Sequence, residues 1–326
     1  MAQAGIIFER IIMLFLLGLL GFIAGKTKYL PGNAGTVLSN VVVKITTPLL
    51  ILTTLTNYRL EPGVLGDGLL IYLFGLFFMV LAYGLSSAAT RCLGLMGPTA
   101  NIYKMQAMFG NVIFLAFPLL TALYGEKGLV YAVFYNLAND SLLWTLGVSL
   151  AYEGRGRGWQ ERFRSLLNGN TLAFLTGILW IALGIRERLE QSPTGQWIYD
   201  IFYGTLHPLG VTTIYLSMLF IGLMLAQIGL EGILKPAKLL PLAVLSLGKL
   251  IVLPGLALVI LMFAGKGLSA FAQDILVLQL AMPAATIVPA LAADAGSDVE
   301  FATEAVFVTS ITSLLTIPLV VLLFLA

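Results

Sequence analysis

The chain has 326 residues, of which 59% are hydrophobic and only 10% charged, with a mean hydropathy of +0.97. A soluble domain carries about 25% charged residues, so this is the composition of a polytopic membrane protein surrounded by lipid. A net charge of +2 assigns no nucleic-acid partner, and one cysteine (Cys92) with one histidine (His207) excludes an intrachain disulfide, a multi-cysteine metal site and a histidine relay.

A membrane span needs about 20 mostly apolar residues. That measure predicts ten of them, at 5–24, 37–56, 66–90, 100–123, 128–150, 171–187, 200–228, 237–263, 271–294 and 301–325. In the first, Arg10 precedes an apolar run from Ile11 to Ala24, which resembles the opening of a signal peptide. No small-x-small cleavage pattern with a polar mature start follows it, and its removal would leave nine spans. Gly21 and Gly25 form a GxxxG within it, read as close packing inside one protomer in preference to a dimer face. The second span carries Lys44 four residues before Pro48, where a lysine snorkels towards the interface.

The fourth span contains Gly110, Asn111 and Pro118 in an otherwise apolar run. Proline inside a helix removes a backbone hydrogen bond and clashes with the carbonyl one turn earlier, and lipid cannot satisfy what is freed. A break is therefore predicted from Gly110-Asn111 to Pro118. The fifth span places Asn136, Asn139 and Asp140 well inside the membrane. Asn136 and Asp140 lie one turn apart and share a face that must point into the protein or a wet cavity.

The stretch 151–170, with Arg155, Arg157, Arg162 and Arg164, is a short loop between five spans and five spans. An odd number per half inverts the second half relative to the first, so 1–150 and 171–326 are predicted to be inverted repeats. Lys and Arg outside the spans divide ten to six in favour of the side bearing this loop, which is predicted to be cytoplasmic in the cell membrane, with both termini outside. Arg186 and Arg188 argue the other way.

His207, before Pro208 in the seventh span, reads as interfacial. Lys249 is too central in the eighth to snorkel, and is expected either to pair with a carboxylate, Asp140 first, or to line a substrate path. The ninth span holds Gln279, Pro283, Thr286 and Pro289, with a second break predicted from Met282-Pro283 to Pro289. At a constant offset of 171, Pro118 falls on Pro289, Leu120 on Leu291, Ala122 on Ala293 and Gly125 on Gly296. The same offset carries the Asn136–Asp140 window onto the tenth span, where Thr309, Ser310 and Thr312 form a weaker polar patch. Asp294, Asp298 and Glu304 read mostly as a solvated loop, with Glu304 within reach of the site.

Matching breaks in the two halves are the best sequence pointer to a secondary transporter's binding site. Half-helix N-termini there favour an anionic group and unwound carbonyls a cation. The expected site comprises Asn111, Pro118, Asn136, Asn139, Asp140, Lys249, Gln279, Pro283, Thr286 and Pro289, without a metal cofactor. The region of Asn136, Asn139 and Asp140 is the place for a coupling sodium ion or proton. No serine–histidine arrangement, metal cluster or aspartyl pair indicates an enzyme.

The segments Gly110-Asn111 through Pro118-Leu-Leu-Thr-Ala-Leu-Tyr-Gly125-Glu126, Tyr131 to Gly147, and Ala281-Met-Pro283-Ala-Ala-Thr-Ile-Val-Pro289 resemble the auxin efflux carrier family, with Thr47-Pro48-Leu49-Leu50 a weaker point of likeness. The likeness covers essentially the whole chain. It implies an all-α fold of ten helices in two inverted five-helix repeats. The broken fourth and ninth helices would cross at Pro118 and Pro289. Spans one, two, six and seven would form an often dimeric scaffold, and the rest a mobile transport unit. The 151–170 loop is far shorter than that of plant auxin exporters, and their asparagine near the second break has no clear match. A small carboxylate, as in bacterial malate or malonate permeases, is therefore a better expected substrate than auxin. A sodium- or proton-coupled carrier of the bile-acid-symporter type and a non-transporting membrane sensor are the alternatives.

Overall fold

The computed structural model describes residues 2–59, 61–154, 166–227 and 236–324. Among them the chain is helical: α1 (Ala2–Lys26), α2 (Ala34–Asn57), α3 (Val64–Cys92), α4 (Gly97–Met108), α5 (Val112–Ala151), α6 (Gly169–Ala182), α7 (Ile185–Glu190), α8 (Pro193–Gln227), α9 (Lys238–Ala264), α10 (Ala270–Leu280), α11 (Val288–Ala295) and α12 (Val299–Phe324). Six of these, α2, α3, α5, α8, α9 and α12, are long and apolar enough to cross a membrane.

The helices follow from apolar sequence sorted onto two faces. In α3, Leu69, Leu73, Phe77 and Val80 are exposed along one stripe, while Asp67, Ile71, Gly75, Phe78, Met79, Ala82 and Ser86 are buried on the other. A helix apolar on its outer side and carrying its few polar groups inward is built for lipid.

The 40 residues of α5 do not form one rod. Gly125 takes φ 63° and ψ −150°, and a Cβ placed on Gly128 would lie 2.7 Å from the carbonyl oxygen of Leu120. Eight helical residues span about 12 Å, so that approach requires the chain to turn back at Gly125. The left-handed φ is why glycine stands there.

Three of the prolines inside helices are absorbed by π-turns. Val42–Thr46, Val112–Ala116 and Gly248–Val252 are wider turns, and Pro48, Pro118 and Pro254 each follow two residues after one. In each case the residue before the proline bonds five residues back: Thr47 to Val42, Phe117 to Val112 and Leu253 to Gly248. The wider turn makes room for the ring where a regular one would collide with it.

Helix α1 lies along α8, and α2 packs between α6 and α8. A Cβ on Gly21 would collide with the backbone of Leu219, and one on Gly222 with the backbone of Gly18. The small residues of α1 therefore serve contact within the chain, and Gly25 faces Ala226 on the same seam. A second set of contacts joins α3 to α4 and α5, α10 to α3 and α5, and α12 to α4, α9 and α11.

Candidate functional site

Two unwound segments meet inside the protein. Helix α4 ends at Met108 and α5 begins at Val112, while α10 ends at Leu280 and α11 begins at Val288. Gly110 and Ala284 form an antiparallel bridge between them. The N–H of Asn111 donates to Pro283 O at 2.8 Å, and that of Ala285 to Phe109 O at 3.2 Å. Non-helical backbone at membrane depth persists only where protein satisfies it, and here each break supplies the other's partners.

The remaining groups are satisfied from outside the pair. Because Asn111 N–H turns to Pro283, the carbonyl of Ala107 lacks the partner a continuing helix would give it, and Lys249 Nζ donates to it at 3.1 Å. The N–H of Ala284 donates to Thr309 Oγ1 at 3.0 Å, and that hydroxyl donates to Ala305 O at 2.7 Å. Both helpers are buried.

The backbones thus meet at Gly110 and Ala284, not at Pro118 and Pro289 as the resemblance implied. Pro118 lies beyond a π-turn in a continuing helix, and Pro289 in the first turn of α11, where a missing N–H costs nothing. Proline marks the neighbourhood of each break, while strand-like pairing fixes its position.

Beside the crossing lies a cavity of about 660 Å³, within the range of small-molecule sites. Its walls come from the first half of α2 with Lys44, the two breaks with Asn111 and Thr286, α5 with Asn136, Asn139, Asp140 and Trp144, the start of α6 with Asn168 and Asn170, and α8 with Phe220 and Gln227. The cavity lies towards the starts of α2 and α6 and the C-terminal parts of α5 and α8, while 155–165, with the arginines of the mid-chain stretch, and 228–235 are outside the described residues.

Of the residues singled out in the sequence, Asn111, Asn136, Asn139, Asp140 and Thr286 border the cavity. Pro118, Pro283, Pro289, Lys249 and Gln279 do not. Pro283 contributes its carbonyl to the crossing, and Gln279 donates from Nε2 to Ala132 O at 3.4 Å. The expected Lys249–Asp140 pair is not formed, since Lys249 is held by the Ala107 carbonyl. Glu304 pairs with Lys238 at 2.9 Å, and Asp298 accepts from Phe301 N–H at the start of α12, so neither borders the cavity.

The cavity has two chemically distinct walls. One offers a donor, Asn111 Nδ2, buried and without a hydrogen-bond partner, beside the positive ends of the α5 and α11 dipoles. Lys44 lies on the same cavity, exposed, with no ion-pair partner among the described residues. The other wall offers acceptors. The Asp140 carboxylate is 7% exposed and is approached by the side-chain amides of Asn136, Asn139 and Asn168, the first at 3.4 Å. Asn168 also caps α6, its Oδ1 accepting from the N–H of Asn170 at 2.9 Å and of Thr171 at 3.1 Å.

Lys44, Asn168, Asn170, Trp144 and Gln227 were absent from the sequence-based set. A sequence signal existed for one pair, because Asn168-Gly-Asn170 before an apolar run is a helix-start pattern opposite a span carrying a carboxylate.

On the opposite face the elements are tied together. Asn57, at the end of α2, donates from Nδ2 to both oxygens of Glu126 at 3.2 Å, accepts from Tyr199 Oη at 3.2 Å, and its carbonyl accepts from Arg186. One turn deeper Thr53, fully buried, contacts His207 Nδ1 at 3.2 Å. Phe114 of α5 packs at a tilt against Phe220 of α8 with centroids 4.4 Å apart, an apolar contact beside the cavity. Outside the spans Lys127 donates to Glu61 at 2.6 Å and holds its carboxyl below the usual range.

The sequence matches the family model described as membrane transport protein over residues 6–162 and 160–321. It is 28% identical to an uncharacterized transporter of Methanothermobacter thermautotrophicus, over 95% of this chain and 96% of that protein. It is 25% identical to an uncharacterized transporter of Methanocaldococcus jannaschii, again over 95% and 96% of the two chains.

Proposed function

The chain belongs to the membrane transport protein family, that of the auxin efflux carriers, and from that premise we propose that it is a secondary transporter moving a small organic anion, a carboxylate, by alternating access. The observation that carries this reading is the crossing itself. Two helix starts, Asn111 Nδ2 and Lys44 border one cavity of about 660 Å³, giving a carboxylate N–H donors and a cation together.

In this reading ten crossing segments form two inverted five-helix repeats. The α4–α5 break belongs to the first repeat and the α10–α11 break to the second, and α5 supplies two crossings by turning at Gly125. Helices α1, α2, α6 and α8 form the scaffold, and the remaining helices move. The mid-chain loop is cytoplasmic by its arginines, so the cavity faces the cytoplasm and the Asn57–Glu126 contact closes the outer side. Alternating access then requires that contact to open as the cavity closes.

Purified protein in liposomes, offered a panel of mono- and dicarboxylates, tests the proposal. Saturable uptake of at least one of them is expected. Binding of an anion without movement of any would replace a carrier by a sensor on the same fold.

A further inference from the structure

The acceptor wall has no role in holding a carboxylate, because a buried carboxylate repels one. Asp140 sits with no cationic partner among the described residues and is approached only by uncharged amide donors. A buried carboxylate without a counter-charge is strongly disfavoured. Around it three amide oxygens, Asn136 Oδ1, Asn139 Oδ1 and Asn170 Oδ1, are buried without a hydrogen-bond partner. Their residues are 3%, 5% and 6% exposed. Asn136, Asn139 and Asp140 share one face of α5, since they lie three and four residues apart. Asn170 comes from the first turn of α6, and with Asn136 and Asp140 it lines both the cavity and a narrow crevice between α5 and α6.

Several unpartnered oxygens around one carboxylate are a set of hard donors lacking an acceptor. Turning the amides over does not resolve this. The nitrogens of Asn136 and Asn139 already lie towards Asp140, so reversing either places an oxygen against the carboxylate. The set holds one carboxylate and otherwise neutral amide oxygens, and a single negative charge among hard oxygen ligands suits a singly charged cation. We propose that Asp140, Asn136, Asn139 and Asn170 form an alkali-cation site, with sodium as the ion that occupies it in the transport cycle.

The proposal deepens the carrier reading and rests on it for the role in transport, but the site itself does not depend on an anion. A cation at Asp140 removes the repulsion that a substrate carboxylate entering the same cavity would meet, so each ligand strengthens the other's binding.

Equilibrium binding of radiolabelled sodium to the purified full-length protein, with choline replacing sodium at constant ionic strength, tests it without any substrate. Saturable sodium binding is expected, abolished in Asp140→Asn and weakened by roughly tenfold or more in Asn170→Ala, since losing even an outer-shell partner costs a metal site about that much. Because Asp140→Asn removes a buried charge and perturbs folding in its own way, Asn139→Leu provides a second variant with the same expected loss. Sodium binding no stronger than in the variants, or stabilisation by acid alone with no effect of sodium, overturns the site. Carboxylate uptake that ignores sodium overturns its role while leaving the carrier reading intact. Sodium binding in a protein that moves no carboxylate has the opposite meaning.

Discussion

The N–H of Asn111 donates to the carbonyl of Pro283 at 2.8 Å, so a residue in the first broken helix completes its backbone with a residue in the second. This bond diverts Asn111 from the carbonyl of Ala107 that a continuing helix would give it, and so creates the opening that Lys249 fills. It also leaves the Asn111 side chain at the cavity with Nδ2 unpartnered.

Close approach of the two breaks sets a steric limit at Gly110. A Cβ there would lie 3.4 Å from Met282 Cβ and 3.6 Å from Gln279 O, which is ordinary contact. Gly110→Ala is therefore expected to keep uptake near the parent level. Gly110→Leu adds three more carbons against the facing strand and is expected to cost about 1–3 kcal/mol by overpacking. Thermal unfolding and uptake of the two variants, measured together, check the difference.

Thr309 holds the second break by accepting from Ala284 N–H. Thr309→Val preserves shape and deletes the acceptor, leaving a buried N–H unpaired at a cost of about 1–3 kcal/mol. A lower melting temperature together with reduced uptake is expected, with both restored in Thr309→Ser. An unchanged Thr309→Val would mean that Ala284 is satisfied in another way.

On the far face Asn57 and Glu126 join α2 to the turn of α5. Removing the carboxylate in Glu126→Ala is expected to favour opening on that side. A thiol introduced by Thr53→Cys, at a position with no exposure, reports it. In a Cys92→Ser background, needed because Cys92 is exposed, labelling of that thiol should rise several-fold when Glu126→Ala is added. Equal labelling with and without Glu126→Ala would remove Asn57–Glu126 as a closing contact.

The seam between α1 and α8 brings backbone directly against backbone at Gly21 and Gly222. Gly222→Ala would drive a methyl into the backbone at Gly18, and a strong loss of stability, above about 2 kcal/mol, is expected. Thermal unfolding in detergent gives the value. Gly84 has open space around it, and Gly84→Ala is expected to leave stability unchanged or raise it slightly.

Much of this arrangement was legible in the sequence because proline and polar residues are rare in apolar spans. Asn111, Pro283 and the Asn136–Asp140 face stood out against their neighbours, and the first two do meet across the crossing. The exact crossing point did not stand out. Pro118 is tolerated by an i to i−5 turn, so the unwinding falls at Gly110, where a partner strand exists. The two lysines exchanged places for a related reason. Lys249 looked like the ligand because it is central, yet its centrality serves a carbonyl orphaned by a strand pairing that no single span reveals. Lys44 looked peripheral, and only the packing of α2 beside the breaks brings it to the cavity. Asn170 lies 30 residues past Asp140 in the sequence, and proximity of that kind comes from tertiary packing alone.

Protection of Thr286 reports whether the carboxylate sits at the crossing. Thr286 is half-exposed in the cavity wall, so Thr286→Cys in a Cys92→Ser background should react with a water-soluble thiol reagent. A transported carboxylate is predicted to slow that reaction in a saturable manner, with half-protection at the concentration that half-saturates uptake. Labelling that proceeds at an unchanged rate while the same protein carries the anion would contradict the account.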